Sequence, residues 1–333
     1  MDNATDELPP AFGRFVARAG EGRNSLPRII LGCLLVVVVW FSGTFALIAA
    51  AAYVSMMGML PDLLGAFAAD PLKGMSDTRF GMAVSIFTLA AIWPGVWLAV
   101  RLLHKRRLHT LFGGSGRLAW GDFRRAALVT LAVVVVLSLV NMAYEPAVER
   151  SSLALSTWLI LVPIMAVILL LQTSAEEIFF RGYLLQTLAH RFRSPWIWAV
   201  APTLIFALAH LSPGAQPWML VVIVFAITLF ALGAVALVWA TGNLGAAMGM
   251  HFANNCVALL FLTNGNDAGT LSLYIMPPID DASWTIGDAV AGGVQQIVLV
   301  GAVLALLLSR RSPVRLRGAP EEHQTAAAAS AAE

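Results

Sequence analysis

The sequence predicts an all-α fold: a polytopic transmembrane bundle of about eight spanning helices with both termini cytoplasmic. Three observations predict it. Hydrophobic residues make up 59% and charged residues only 12% of the 333-residue chain, at a mean hydropathy of +0.79. A soluble domain carries roughly a quarter charged residues, so hydrocarbon is the solvent this composition suits. Apolar runs long enough to span recur along the whole chain, and Lys and Arg are concentrated in alternate loops between them. The net charge of +2 is too small to suggest nucleic acid.

Backbone N–H and C=O groups find no water in hydrocarbon, so each crossing needs a helix of about 20 mostly apolar residues. Residues 1–28 are polar and read as a disordered cytoplasmic tail. Spans are then expected at 29–55, 80–103, 126–145, 153–173, 195–211, 217–240, 243–264 and 288–308. The first apolar run is longer than the core of a signal peptide and reads as a retained helix. Gly113-Gly114-Ser115-Gly116 lacks the following Lys-Ser/Thr of a phosphate loop and reads as a turn before a helix starting near Trp120. Ser212-Pro213-Gly214 and Pro217 leave only a short turn between the fifth and sixth spans. Residues 29–149 form an N-terminal helical block, 150–264 a helical core, 265–311 an outer loop with the last span, and 312–333 an alanine-rich disordered tail. Trp40, Tyr53, Trp196 and Trp198 fall near span ends and read as interfacial anchors.

Orientation follows from the basic residues. With the N-terminus inside, Arg14, Arg18, Arg23 and Arg28, the stretch Arg101 to Arg125, Arg191 with Arg193, and Arg310, Arg311, Arg315 and Arg317 are all cytoplasmic. The opposite side holds only Lys73, Arg79 and Arg150 and carries most of the loop carboxylates, Asp280 and Asp281 among them.

Ionisable residues inside hydrocarbon cost about 3 kcal/mol each on insertion scales, so they require a partner or a function. Few occur: Glu176, Glu177 and Arg181 near the fourth span, His210 in the fifth, and His251 with Asn254 and Asn255 in the seventh. Residues four apart share a helix face, so Glu177 pairs with Arg181, a pairing that structure alone could explain. Glu176 is then turned about 100° away with no local partner, and a lone carboxylate in a dry site suits a general base acting on water. His251 and Asn255 also share a face and offer donors to a developing oxyanion. Cys33 and Cys256 lie in apolar runs without a metal-ligand or disulfide pattern and read as small buried hydrophobes.

The three motifs resemble those of the CPBP group of intramembrane peptidases, which contains type II CAAX prenyl proteases and bacteriocin-immunity (Abi) proteins. EExxxR is similar to Glu176-Glu177 with Arg181, FxxxH to Phe206 with His210, and HxxxN to His251 with Asn255. The resemblance covers mainly residues 150–264. It implies that Glu176 and His210 activate the hydrolytic water, that His251 and Asn255 hold the oxyanion, and that Glu177 and Arg181 shape the site. The family is often named as metalloproteases, which makes Glu176, His210 and His251 a candidate zinc set. A metal-free glutamate mechanism is the other reading; Asn255 has a clearer use as an oxyanion donor than as a ligand, and HExxH is absent.

The expected function is an endopeptidase acting on a membrane-associated protein or peptide within the bilayer, with water admitted from the cytoplasmic side. Arg far outnumbers Lys, which occurs only at Lys73 and Lys105, and this points to a GC-rich bacterial genome and to the cytoplasmic membrane. Prenylated CAAX substrates are not expected there. Two other classes stay open: a proton- or metal-coupled transporter, for which the first three spans offer almost no polar path, and a non-catalytic immunity or scaffold protein.

Overall fold

The computed structural model describes residues 8–57, 78–145, 147–212, 214–265 and 270–316. In chain order its helices are α1 (Pro10–Ala17), α2 (Leu26–Met56), α3 (Arg79–Leu103), α4 (Trp120–Tyr144), α5 (Leu155–Arg191), α6 (Trp196–Leu208), α7 (Pro217–Thr241), α8 (Gly245–Leu260) and α9 (Ile286–Leu308). Six of them, α2, α3, α4, α5, α7 and α9, are long and apolar enough to cross a membrane. Only 17–39% of each apolar window is buried inside the protein, which leaves side chains such as Phe41, Phe45, Leu128 and Val221 facing outward. The chain is a multi-pass helical membrane protein.

Two of the eight expected spans are shorter than the bilayer requires. Helix α6 ends at Leu208, ahead of the Ser-Pro-Gly break, and α8 is 16 residues long. His251 lies in α8 and His210 two residues beyond the end of α6, and both helices are packed among longer ones. Helix α8 lies so close along α4 that a Cβ at Gly249 would collide with the Phe123 carbonyl. The turn into α8 needs Gly242, whose φ of +61° is strained for other residues and whose α-carbon abuts the Ala11 carbonyl. The helix expected near Trp120 starts there.

The fourth span departs most from expectation. Instead of ending at 173 it continues to Arg191, passing through π-helical turns at Ile178–Leu185. Hydropathy fails after 173 because Arg181, Gln186 and His190 are polar, yet tertiary partners satisfy the first two. Gln186 is fully buried; its Nε2 donates to the Phe15 carbonyl (2.9 Å) and the Thr110 carbonyl (2.8 Å), and its Oε1 accepts from Arg106 (2.7 Å).

That network holds down a segment expected to be disordered. Residues 8–28 are ordered, and α1 buries Phe12, Phe15 and Val16 completely. Phe12 sits 4.8 Å from Trp239 and 5.5 Å from Trp198 by ring centroids, and the two tryptophans stack at 5.6 Å. Trp198 is therefore a core residue, not an interfacial anchor. An amphipathic single helix has nowhere to bury such rings alone, which is why composition made this stretch look like a tail. Residues 1–7 and most of the expected C-terminal tail lie outside the described residues; in the part of the tail that is described, Val314 and Leu316 pack on the core.

The basic loops and α1 form one face of the bundle, here the basic face. The opposite, acidic face carries a small sheet: β1 (Glu149–Arg150), β2 (Leu262–Asn264) and β3 (Tyr274–Met276), in the order β1-β3-β2, with β1 antiparallel and β2 parallel to β3. Arg150 donates to the Leu273 carbonyl (2.8 Å) and Arg79 to the Thr270 carbonyl (3.1 Å). These two exceptions to the charge bias tie down loop carbonyls. Lys73 lies outside the described residues.

On the basic face, just beyond α3, His104 is 1% exposed. Its Nδ1–H donates to the Arg23 carbonyl and its Nε2 accepts from the Tyr183 hydroxyl, both at 2.8 Å, the tautomer being assigned from this network. Burial, reinforced by the Arg106 guanidinium, pushes the ring from 6.5 down to about 4. The unfolded chain then binds more protons than the folded one between these values, so stability is complete above about pH 6.5 and is lost as pH falls toward 4. The melting temperature in detergent is expected to decline across that window, and His104→Phe to flatten the decline.

Candidate active site

Helix α5 presents two adjacent carboxylates at its middle. Glu177 is fully buried and Arg181, one turn on, is 2% exposed; their Oε1 and guanidinium are 3.0 Å apart, as the spacing predicts. The guanidinium also donates to the Ala231 carbonyl of α7 (3.2 Å) and lies 4.9 Å from the centre of the Phe206 ring. Phe206 is thereby sandwiched among Arg181, Phe180 and His210. The π-helical turns begin directly after Glu177 and shift the register of everything beyond it.

His251, from α8, joins both carboxylates. Its Nδ1 is 2.9 Å from Glu177 Oε1, the oxygen that Arg181 also binds, and its Nε2 is 3.5 Å from Glu176 Oε2. With Nδ1–H donating to Glu177, Nε2 faces the Glu176 oxygen across 3.5 Å. Glu176 is 5% exposed, and its Oε2 has no hydrogen-bond partner among the described residues. The spacing left Glu176 without a partner; the partner is this histidine, from a helix distant in sequence. Because both ring nitrogens of His251 face carboxylates, its side chain is committed differently from the oxyanion donor that the resemblance implies.

Asn255, one turn beyond His251, donates from Nδ2 to Gln172 Oε1 (3.1 Å) and accepts from Asn254 (3.3 Å), with amide orientations assigned from the network. One N–H of its amide is left over. His210 follows the end of α6; its Nδ1–H donates to the Phe206 carbonyl (2.7 Å), which leaves Nε2 as the free acceptor on an exposed ring.

Glu176 and His210 come to similar depths because α5 is longer than its hydropathy. Counted from the α5–α6 connection, Glu176 lies 15 residues back and His210 14 residues forward of Arg191 and Trp196, about 21–22 Å each at the rise of a helix. They nevertheless stay apart: no hydrogen bond or ion pair joins them among the described residues. A cavity of about 350 Å³ is lined by His210, His251, Asn254 and Asn255 with Phe206, Phe230 and others. Glu176 and Glu177 are absent from its lining and border it only across His251. Ala258 and Leu259 place the cavity on the acidic-face side of His251, so it lies away from the cytoplasmic approach the basic loops suggested.

Among the described residues, no group of three or more His, Cys, Asp or Glu side chains is arranged to hold a metal ion. Glu176 and His251 approach one another, but among the described residues His210 does not complete a zinc set with them. Two site residues escaped the sequence reading. Gln172 was detectable as a polar residue one turn before Glu176 in an apolar run, and Gln296 as one of a pair of amides within the last span.

Residues 156–257 match the family described as type II CAAX prenyl endopeptidase Rce1-like, a range that includes every residue of the three motifs. The chain is 28% identical over 319 residues to the uncharacterized protein YyaK of Bacillus subtilis (strain 168), covering 90% of this chain and 97% of the relative. No solved structure matches it.

Proposed function

We propose, from the match of residues 156–257 to the type II CAAX prenyl endopeptidase Rce1-like family, that the protein is an intramembrane endopeptidase acting on a membrane-associated protein or peptide. The observation that carries the proposal is His251, poised between two buried carboxylates at the wall of a cavity that His210 and Asn255 also line. Such a set has little structural reason to survive in hydrocarbon, and it has the parts that amide hydrolysis needs.

In this reading water in the cavity donates one hydrogen bond to His210 Nε2 and gives its proton to the Glu176–His251 couple. The hydroxide oxygen bonds to the scissile carbonyl carbon, and the remaining N–H of Asn255 stabilises the oxyanion. The C–N bond then breaks as the couple returns the proton to the leaving amine. Glu177 and Arg181 position His251 by occupying Nδ1. The basic face is assigned to the cytoplasm of a bacterial cell on the charge rule.

The test is turnover by the purified protein in nanodiscs, with a library of peptides anchored by a lipid or a single span and metal analysis of the same samples. Cleavage by the wild type is expected, with kcat reduced about 10²–10³-fold in Asn255→Ala and KM little changed, the scale for losing one oxyanion donor. A folded wild type that cleaves nothing in the library would favour the transporter or scaffold readings.

A further inference from the structure

A second cavity, of about 330 Å³, adjoins the first: Ala226 of α7 and Gln296 of α9 line both. It runs between α4, α7 and α9 to the acidic face, where Asn264 of β2 and Trp284 border it. Its polar lining consists of Asn141, Glu145, Asn264, Asp288, Gln295 and Gln296. Each cavity alone lies at the lower end of the roughly 300–1,000 Å³ range of ligand sites, and the two share a wall at Ala226 and Gln296.

We propose that this second cavity is a substrate subsite, holding an extended stretch of polypeptide that leads from the scissile bond toward the acidic face. The inference rests on the endopeptidase reading above. Amide side chains carry donors and acceptors together, as a peptide backbone does, and four of the six polar lining residues are Asn or Gln. Gln295 and Gln296 lie within a helix that is otherwise apolar enough to span the bilayer, and the side-chain amides of both are free of hydrogen bonds to other described residues. Polar groups left unspent inside a span are costly, and a bound peptide backbone would use them. The junction residue Gln296 also lines the cavity that His251 and Asn255 line, which sets the subsite next to the reacting centre.

The rim sets a charge preference. Glu145 accepts from the Ala147 N–H through Oε1 (3.1 Å), and Asp288 accepts from Thr285 through Oδ2 alone (2.6 and 2.7 Å), so each carboxylate keeps its second oxygen. Among the described residues the lining contains no Lys or Arg. The segment held here is therefore uncharged or basic, and acidic side chains are rejected.

Gly292 lines this cavity and not the catalytic one, and a Cβ added there meets nothing within 4 Å. Gly292→Leu consequently fills the subsite without disturbing the helix. With anchored peptides in a short and a long version, it is expected to raise KM for the long version about tenfold, the scale of a few pocket contacts, and to leave the short one within about twofold. A second readout needs no turnover: a benzophenone attached at Gln295→Cys, in the Glu176→Gln background, should capture the long peptide and lose it when Gly292→Leu is added. Equal KM for both lengths in wild type and Gly292→Leu, or crosslinks to phospholipid alone, overturns the subsite while cleavage still upholds the endopeptidase reading. Capture of the long peptide, blocked by Gly292→Leu in a protein whose wild type cleaves neither length, upholds the subsite and removes the endopeptidase.

Discussion

Glu176→Gln is expected to slow peptide hydrolysis by about 10²–10⁴-fold, the usual contribution of a positioned general base, while the protein melts close to the wild-type temperature. The substitution keeps volume and removes only the basic oxygen. Glu176 Oε2 makes no hydrogen bond among the described residues, so the fold loses no bond with it. His251 stays oriented, because its Nδ1 remains on Glu177, 2.9 Å away. What disappears is the acceptor on the other side of the ring, 3.5 Å from Nε2, and with it the route for the proton of water. Single-turnover assays with saturating anchored peptide would read the chemical step directly. A Glu176→Gln protein that cleaves as fast as wild type would sink the assignment, and His251 with His210 would become the candidates for the base.

Arg181→Met should act on stability first. It removes the cation from a carboxylate that has no exposure to solvent and leaves only His251 to compensate it. Breaking one partner of a buried pair costs about 3–5 kcal/mol, since the remaining charge is stranded. The loss also frees the Ala231 carbonyl and the face of Phe206, on which His210 leans. Thermal unfolding in nanodiscs should show the drop, and activity should fall with it because Glu177 no longer holds His251 in place. The double variant Glu177→Gln with Arg181→Met should regain part of the stability, as no stranded charge remains, without regaining activity. If the single and double variants melt alike, the pair is not the buried ion pair it resembles.

Of the site, the part legible in the sequence was the part encoded within single helices. Glu177 meets Arg181 because residues four apart share a face, and His251 and Asn255 line one cavity for the same reason. Gln172, which binds Asn255, was open to the same argument from Glu176 but lies outside the motifs. The link between His251 and the two carboxylates crosses 74 residues of sequence from Glu177, and no local period reports it. The same holds for α1, whose Phe12 and Phe15 acquire a core only when Trp198 and Trp239 arrive from other helices.

By itself the sequence determined that this protein is a helical membrane bundle, where its long spans lie, and which few polar residues its membrane core contains. Composition and apolar run length suffice for that, because hydrocarbon tolerates only backbones whose hydrogen bonds are satisfied internally. Tertiary structure alone decided that α5 continues to Arg191, that the supposed tail is packed, and that His251 stands between two glutamates beside a cavity on the acidic face. The physical reason is that a buried polar group such as Gln186 or Glu177 is stable only beside its partner, and partners are chosen by packing among helices far apart in the chain.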